Sequence, residues 1–403
     1  MPKIKLLVVI EATAVSGPAK NLLGFLRLLR SPEFHDKGLP QVECSIATFH
    51  RSRTLRSKED QPVVDRPQNA FIAAAMAQGT EVDVISERFV FDPAVISQLR
   101  DIVKRRAPTL VQTHMVKSHF LTKLSGINRK YPWIAYHHGY TTTDLKMRAY
   151  NQLNRWSLPS ASRVITVCDA FANDLSRAGV SRHLISVCHN SVVPPVSGLP
   201  EEASILREQL GIRDGERVVL SVGRLSQEKG HVDLVTALAA LHRISPLLRC
   251  KLVIVGDGPE RERIEVVARA NGVTDQLLFT GQVSQVEKYY AIADIVALPS
   301  HSEGSPNVLL EAMSAGLPVV ATAVGGVPEI ASTEENALLV APNDTEGFAH
   351  ALRRLLTDGE LAQKLGGAAA LHVREKFSPA TQARSLLQIY QNLVSETGKA
   401  QSN

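Results

Sequence analysis

Short apolar segments alternate with segments of helical periodicity along almost the whole chain. The apolar segments are five to eight residues long, and apolar residues recur with a period near 3.6 between most of them, as in residues 18–29 and 93–105. A strand, a helix and a second strand in succession form a crossover connection, which makes the two strands parallel. The chain is therefore predicted to form open parallel sheets with helices on both faces. The predicted strands are residues 5–10, 42–49, 81–86, 109–114, 133–138 and 163–168, followed by 217–223, 251–256, 277–281, 294–300, 317–323 and 336–342.

The length and one turn-rich segment predict two domains. A chain of 403 residues exceeds the roughly 100–200 residues of a typical domain. Residues 190–202 contain three prolines and separate the two series of strands, as an interdomain linker does. We predict an α/β protein with two Rossmann-like, doubly wound domains, residues 1–195 and 196–380, and a cleft between them. Residues 381–403 are predicted to be a helix and tail, with the helix packing back toward the N-terminal domain.

The composition excludes several classes of protein. Hydrophobic residues make up 44% of the chain and charged residues 21%, which is typical of a globular protein. The four cysteines lie at least twenty positions apart without a Cys-x-x-Cys pair, so neither a disulfide framework nor a zinc site is expected. No apolar run approaches the ~18 residues of a membrane-spanning helix. We expect a cytoplasmic protein that uses no metal.

The net charge of +5 conceals an asymmetry between the two halves. Residues 1–200 carry 26 Lys and Arg against 15 Asp and Glu, a net charge of +11, whereas residues 201–403 carry 19 against 25, a net charge of −6. Such a basic half is typical of contact with nucleic acid or with an acidic membrane surface. No aromatic residue interleaves the first basic cluster, so we expect anionic lipid at the inner face of a membrane and no nucleic acid. The clusters are Arg51, Arg53, Arg56 and Lys58 after a strand, and Lys104, Arg105 and Arg106 at a helix end.

The most informative segment is residues 298–322, LPSHSEGSPNVLLEAMSAGLPVVAT. A predicted strand ends at Ser300, and Ser305 with Pro306 is typical of the N-cap and first turn of a helix. Because Pro306 has no amide hydrogen, the free donors at this helix start are predicted to be the amides of Asn307 and Val308, with the amide of Leu309 as a third candidate. Together with the helix dipole they favour an anion such as a phosphate. Glu311 follows among apolar neighbours, where a carboxylate needs donors such as the hydroxyls of a ribose.

Other candidate residues also follow predicted strands, where open parallel sheets bind their ligands. Arg224 and Lys229 lie in the loop after Gly223 and can converge on a diphosphate, Arg as a planar fork and Lys as a point charge. In the first half, Gly17 lies in the loop after the first strand, where a glycine permits close approach of a ligand. His138 ends a strand in YHHGY, with His137 and His114 as alternative candidates.

The segment EGSPNVLLEAMSAGLPVVAT, with Glu303 and Glu311 separated by seven residues, resembles the signature of the retaining glycosyltransferases of family 4, which have the GT-B fold. The resemblance covers nearly the whole chain and is strongest from about residue 218 to residue 330. The chain departs from the family in two places. Many members carry an aromatic residue at the position of Ser305, and many carry a Gly-Gly pair where only Gly17 stands here.

The resemblance implies a role for each candidate residue. Glu303 would hold hydroxyls of the donor sugar, Glu311 the ribose, and His138 would approach the sugar. Arg224 and Lys229 would bind the leaving diphosphate, while Gly223 and Gly256 border the nucleotide. The backbone at Gln282 and Val283 would meet the base. The segment Gly304, Ser305, Pro306, Asn307, Val308 and Leu309 would meet the sugar and the diphosphate.

The predicted function is transfer of a hexose-type sugar, with retention, from a nucleoside diphosphate sugar to an acceptor hydroxyl of a lipid-linked or surface polysaccharide. The chain contains no Asp-x-Asp motif, so charge neutralisation is expected to come from Arg224, Lys229 and helix amides without a metal or other cofactor. The basic N-terminal domain would bind the carbohydrate or lipid-linked acceptor. Two alternatives stay open: a nucleotide-sugar epimerase of similar architecture, and a non-catalytic binder of sugar nucleotides or nucleic acid.

Overall fold

The computed structural model describes residues 3–15, 17–31, 34, 38–51, 69–89, 92–139, 145–194 and 200–401. The chain divides into two compact units, Met1–His189 with Pro379–Asn403, and Asn190–Ser378. The sequence-based division at residues 195 and 380 differs from this one by a few residues at each junction. We describe the two units separately.

A parallel sheet of seven strands forms the centre of the first unit. The spatial order is β3-β2-β1-β4-β5-β6-β7, so the chain starts in the middle of the sheet and winds outward in both directions. Every strand pairing is parallel, which confirms the predicted doubly wound sheet. The strands are β1 (Ile4–Ile10), β2 (Val42–Arg51), β3 (Glu81–Glu87), β4 (Leu110–His114), β5 (Trp133–His137), β6 (Arg163–Thr166) and β7 (Ile185–Val187).

The helices of the first unit cover both faces of this sheet. In the first helix, Leu22, Leu23, Phe25 and Leu26 are buried and form one apolar stripe against the sheet. The helices are α1 (Gly17–Leu29), α2 (Ala70–Ala77), α3 (Ala94–Arg106), α4 (Met115–Leu124), α5 (Leu145–Ser157) and α6 (Asp169–Arg177).

The second unit contains a parallel sheet of six strands in the order β10-β9-β8-β11-β12-β13. Its strands are β8 (Arg217–Val222), β9 (Cys250–Val255), β10 (Leu277–Gly281), β11 (Ile295–Leu298), β12 (Val319–Thr322) and β13 (Leu338–Val340). Its helices are α7 (Pro200–Gln209), α8 (His231–Ile244), α9 (Arg261–Ala270), α10 (Glu287–Ile292), α11 (Asn307–Ser314), α12 (Val327–Ile330), α13 (Thr345–Thr357) and α14 (Gly359–Lys376).

The last helix, α15 (Pro379–Gln401), belongs to the first unit although it follows the second in the chain. Its residues Leu386, Leu387, Tyr390 and Leu393 are buried in the same apolar cluster as the inner face of α1. Among the helices that the structure describes, none combines the length and the apolar composition needed to cross a membrane.

Loops at the carboxyl edge of the second sheet approach one another too closely for side chains. A Cβ atom at Gly256 would lie 1.9 Å from the carbonyl oxygen of Gly223. Gly325, with φ of +53°, lies in the loop after β12, and a Cβ atom there would lie 1.8 Å from the carbonyl oxygen of Glu303. The amide of Gly326 donates to that same oxygen at 3.2 Å. The loop after β12 thus supports the backbone of Glu303.

The core of the first unit contains three buried histidines, His114, His119 and His137. His119 Nδ1 lies 2.7 Å from Asn154 Oδ1, and Asn154 Nδ2 lies 3.2 Å from His137 Nδ1. Burial lowers the pKa of each ring: well below its ordinary value at His114, less strongly at His119, and to about 3 at His137. The folded protein therefore keeps His137 neutral at pH 5 to 7, and burial disfavours protonation of the other two rings.

Replacement of Gly325 by Ala should destabilise the second unit and displace the Glu303 loop. The added methyl group meets a carbonyl oxygen and also strains a left-handed backbone, so the cost should exceed that of strain alone, which is about 1 kcal/mol. Gly316→Ala is the matched control, because Gly316 has φ of +73° but no atom within 4 Å of its Cβ position. Urea unfolding measures both variants. Equal losses of free energy would contradict the proposed support of Glu303.

The stability of the first unit should fall as the pH falls from 7 to 5. Unfolded histidines take up protons below pH 6.5, whereas the buried rings of the folded protein take them up only below their lowered pKa values. Each such ring therefore lowers the free energy of unfolding by up to about 1.4 kcal/mol per pH unit. Urea unfolding at pH 7, 6 and 5 measures the slope. His137→Gln should flatten it, and the exposed His183→Gln should not. Unfolding free energies that do not change over this range would refute the assignment.

Candidate active site

Glu303 is the buried carboxylate at the carboxyl edge of the second sheet. It is 7% exposed, and Lys229 Nζ lies 2.7 Å from its Oε1. Ser300 Oγ, two residues beyond the end of β11, also donates to Oε1 at 2.7 Å. Both donors reach the same oxygen, and Oε2 has no partner among the described residues. One oxygen fixes the side chain, and the other is available to a ligand.

The helix α11 starts later than the sequence predicts. Its N-cap is Pro306, no side chain caps it, and its first residue is Asn307. The prediction of Ser305 as N-cap was wrong, because the Ser305 hydroxyl instead accepts a hydrogen bond from the backbone amide of Asn190 at 3.0 Å. Asn190 Nδ2 also donates to the Ser305 carbonyl at 2.7 Å. The first residue of the second unit therefore anchors the loop that contains Gly304 and Ser305.

Two amides remain at the start of α11. The amide of Leu309 donates to the Pro306 carbonyl at 3.1 Å, and the Leu309 side chain is buried in the core. The amides of Asn307 and Val308 have no hydrogen-bond partner in the part of the chain that the structure describes. Asn307 Oδ1 is buried beside them and also lacks a partner there. The helix start thus presents the two predicted donors and the positive end of a dipole, whereas the third candidate, Leu309, is hydrogen-bonded within the helix.

Tyr290 orients Glu311, a role that the sequence did not reveal. The Tyr290 hydroxyl donates to Glu311 Oε2 at 2.9 Å, and the phenol ring is buried. Burial and the neighbouring carboxylate raise the Tyr290 pKa well above its ordinary value, so the hydroxyl stays a donor. Glu311 is half-buried rather than on the solvent face of α11. Tyr290 lies in α10, and tertiary packing brings α10 close to α11, so the sequence alone could not show this contact.

The remaining candidates of the second unit also lie beyond strand ends. Arg224, two residues after β8, is exposed, and no described carboxylate forms an ion pair with it. Gln282 and Val283 follow β10; Gln282 is exposed and Val283 packs on the core. Gly223 lies directly after β8, where its carbonyl oxygen packs against Gly256. This edge therefore presents two cations, two free amides and a carboxylate oxygen.

In the first unit, Gly17 is exposed and begins α1. His138 follows β5 and is half-buried, and its Nε2 lies 3.0 Å from His114 Nδ1. His137 ends β5, is 3% exposed and contacts Asn154. His137 and His114 are core side chains, which favours His138 as the histidine that faces a ligand.

A pocket of about 110 Å³ opens at the carboxyl edge of the first sheet. The buried Glu87 carboxylate joins two cations at its centre, since Oε2 lies 3.0 Å from Arg51 Nη2 and 2.9 Å from Lys117 Nζ. Glu11 lies at the rim, and Phe120 and the side chain of Leu153 contribute apolar wall. This combination of charged and apolar surface was not predicted, because its parts are far apart in sequence.

The described residues of the two predicted basic clusters, Arg51 of the first and Lys104, Arg105 and Arg106 of the second, lie at opposite edges of the first sheet. Arg51 ends β2 at the carboxyl edge, whereas α3 ends at the opposite edge, just before β4 begins. Arg105 and Arg106 form ion pairs with Asp83, which neutralises part of their charge. Binding to anionic lipid stays a prediction. Arg53, Arg56 and Lys58 lie outside the described residues.

A metal site is not formed by the residues that the structure describes: no three of their His, Cys, Asp and Glu side chains are placed so that they could hold a metal ion. At the carboxyl edge of the second sheet, Lys229, Arg224 and the amides of Asn307 and Val308 supply the positive charge.

Two family models match the chain. Residues 43–194 match glycosyltransferase family 4, and residues 202–372 match glycosyl transferases group 1. The chain is 30% identical to the uncharacterized glycosyltransferase MJ1607 of Methanocaldococcus jannaschii, over 62% of this chain and 65% of that protein. It is 27% identical to N-acetyl-alpha-D-glucosaminyl L-malate synthase of Bacillus anthracis, over 71% of this chain and 75% of that protein. It is 39% identical to D-inositol 3-phosphate glycosyltransferase of Actinosynnema mirum, over 49% of this chain and 51% of that protein.

Solved structures share the fold. HepE of Anabaena, in complex with UDP-glucose, has a TM-score of 0.77 and 20% identity, and the match covers 97% of this chain and 100% of that one. Sucrose-phosphate synthase of Thermosynechococcus elongatus has a TM-score of 0.73 and 21% identity over 97% of this chain and 100% of its own. The family models, the two doubly wound sheets and these neighbours agree, and the chain therefore belongs to glycosyltransferase family 4, with the GT-B fold.

Proposed function

We propose that this chain is a retaining glycosyltransferase that transfers a hexose-type sugar from a nucleoside diphosphate sugar to an acceptor hydroxyl. The observation that carries the proposal is the Lys229–Glu303 pair at 2.7 Å, in the same unit as the uncapped start of α11. A cation, two free amides and an oriented carboxylate suit a ligand that is anionic at one end and rich in hydroxyls at the other.

Each group has a distinct role in donor binding. Lys229, Arg224 and the amides of Asn307 and Val308 bind the diphosphate, and the forked guanidinium of Arg224 suits two phosphate oxygens. Glu303 accepts sugar hydroxyls through Oε2, while Ser300 keeps Oε1 in place. Glu311, oriented by Tyr290, accepts the ribose hydroxyls.

The same groups stabilise the transition state. As the bond between the anomeric carbon and the diphosphate breaks, negative charge grows on the leaving oxygen, where Lys229, Arg224 and the amides neutralise it. The acceptor oxygen then bonds to the anomeric carbon on the face that the diphosphate leaves, and the acceptor proton passes to a phosphate oxygen. This same-face displacement retains the configuration and uses only the protein groups named here, without a metal.

Substitutions of the Lys229–Glu303 pair should separate donor binding from transfer. UDP and UDP-glucose are the first ligands to test, since the HepE structure contains UDP-glucose. In a thermal-shift assay, Lys229→Met should lose most of the stabilisation by UDP, because a charged contact to phosphate is removed. Glu303→Gln should keep the UDP shift and lower transfer by about 10²–10³-fold, the usual cost of losing one oriented polar contact to a transition state.

The exposed pair Arg243–Glu346 provides the control, since Arg243→Met should alter neither quantity. Near-normal transfer by folded Glu303→Gln would refute the proposal. Isomerised sugar after incubation with the donor alone would instead indicate the epimerase.

We propose that the acceptor occupies the pocket around Glu87 in the first unit. Its charged groups can bind hydroxyls, and the apolar wall at Phe120 and Leu153 suits a hydrophobic part of the acceptor. This combination favours a lipid-linked or surface-polysaccharide acceptor. In contrast, the relatives from Bacillus anthracis and Actinosynnema mirum are named for L-malate and D-inositol 3-phosphate.

Arg51→Met should impair use of the acceptor without affecting the donor. With dodecyl glucoside as acceptor, its KM should rise about tenfold, because one charge-assisted hydrogen bond is lost, while the UDP thermal shift stays unchanged. Arg177→Met, which removes an exposed arginine of the same unit, is the control. Transfer only to L-malate or D-inositol 3-phosphate would contradict the proposed acceptor class.

A further inference from the structure

A continuous chain of hydrogen bonds links the last helix to His138. The Tyr390 hydroxyl lies 2.6 Å from Gln112 Oε1, and Gln112 Nε2 lies 2.9 Å from His114 Nε2. His114 Nδ1 lies 3.0 Å from His138 Nε2. All four residues belong to the first unit, and the first three are at most 3% exposed. Water therefore has little access to the chain except near His138.

The Tyr390 hydroxyl determines which group donates and which accepts in each of these hydrogen bonds. Burial raises the Tyr390 pKa well above its ordinary value, so the hydroxyl keeps its proton. Gln112 Oε1 is its hydrogen-bond acceptor among the described residues, and a fully buried hydroxyl that failed to donate would lose a hydrogen bond. The amide oxygen of Gln112 therefore faces Tyr390, and the amide nitrogen faces His114.

This orientation fixes the proton on each imidazole ring. An amide nitrogen only donates, so His114 Nε2 must accept and carries no proton. His114 is neutral because burial lowers its pKa well below the ordinary value, so its proton is on Nδ1 and is donated to His138 Nε2. His138 is also neutral, with a pKa lowered to about 3, and its own proton must then be on Nδ1.

Stacking against Tyr136 holds the rings of His114 and His138 in position. The Tyr136 ring stacks on His138 at 4.7 Å between centroids and on His114 at 5.1 Å. Directly after His114, Met115 adopts φ of +69°, a left-handed conformation that is costly for a residue with a side chain. The strand end that presents His114 is therefore held in a strained conformation by its surroundings.

We propose that Tyr390, Gln112 and His114 are positioning residues that hold His138 as its Nδ1–H tautomer. His138 then presents a hydrogen-bond donor at Nδ1 and cannot act there as a base. This step rests on the proposed function: the Nδ1–H group would donate to a hydroxyl oxygen of the donor sugar, and the acceptor proton would have to go elsewhere, as to the leaving phosphate.

The tautomer can be observed directly by nitrogen-15 NMR of the full-length protein with labelled histidine. The two ring nitrogens of a neutral histidine have distinct shifts, according to which of them carries the proton. In the wild-type protein, His138 and His114 should both show a protonated Nδ1 and an unprotonated Nε2. The His138 and His114 signals are assigned by their loss in His138→Gln and His114→Gln.

Tyr390→Phe removes the hydroxyl that sets the direction and leaves the ring in the core. Both nitrogens of His138 should then move toward intermediate shifts, which indicates a mixture of tautomers. Gln112→Leu breaks the chain at its second link and should give the same mixture. Tyr136→Phe is the matched control. The buried Tyr136 hydroxyl donates to the Cys188 carbonyl at 3.3 Å and is not part of the series of hydrogen bonds from Tyr390 to His138, and the substitution keeps the aromatic ring. It should leave the signature unchanged.

A wild-type His138 protonated on Nε2, or a signature unchanged in folded Tyr390→Phe, would overturn the proposal whether or not the protein transfers sugar. The activity measurement tests the further link to the donor sugar. With UDP-glucose, kcat/KM of Tyr390→Phe should fall about five- to tenfold, the range expected when one hydrogen bond is weakened, while the affinity for UDP is unchanged. A changed tautomer with unchanged transfer would reject the contact with the sugar and keep the tautomer assignment.

Discussion

The site depends on the parallel arrangement of the strands in each sheet. In a parallel sheet all strands end at the same edge, so residues far apart in sequence come together there. In the second unit, the loop after β8 contributes Lys229, the loop after β11 contributes Glu303, and the loop after β12 supports the Glu303 backbone through Gly325. A buried carboxylate needs a partner, and Lys229 provides it without occupying both carboxylate oxygens. The residues that stabilise one another at this edge are thus the ones proposed to bind the ligand.

The fold was largely predictable from the sequence because hydrophobic periodicity is a local property. All predicted strands occur within a residue or two of their expected positions. The strand β7 was missed because its three residues, Ile185–Val187, are too few to show a period. The two-sheet architecture followed from the order of strands and helices.

The site was only partly predictable, because its geometry arises from tertiary contacts. Sequence position indicated Glu303, Lys229 and Glu311, but neither the 2.7 Å pair between the first two nor the bond from Tyr290 to the third. The capping role predicted for Ser305 was wrong, since its hydroxyl accepts a hydrogen bond from the amide of Asn190, 115 positions earlier. The Gly325–Gly326 pair after a strand was a local signal that could have indicated the close backbone approach to Glu303.

The return of α15 to the first unit has a consequence for synthesis on the ribosome. The chain emerges from its N-terminus, and domains generally fold as units as they appear. The second unit is complete once residue 378 has emerged, whereas the first unit must wait for residues 379–401. Until then the apolar surface that Leu386, Leu387 and Leu393 cover is exposed on a nascent protein, as is Gln112, the partner of Tyr390. The unit translated first is therefore the last to be finished, and the final helix both closes its core and orders its histidines.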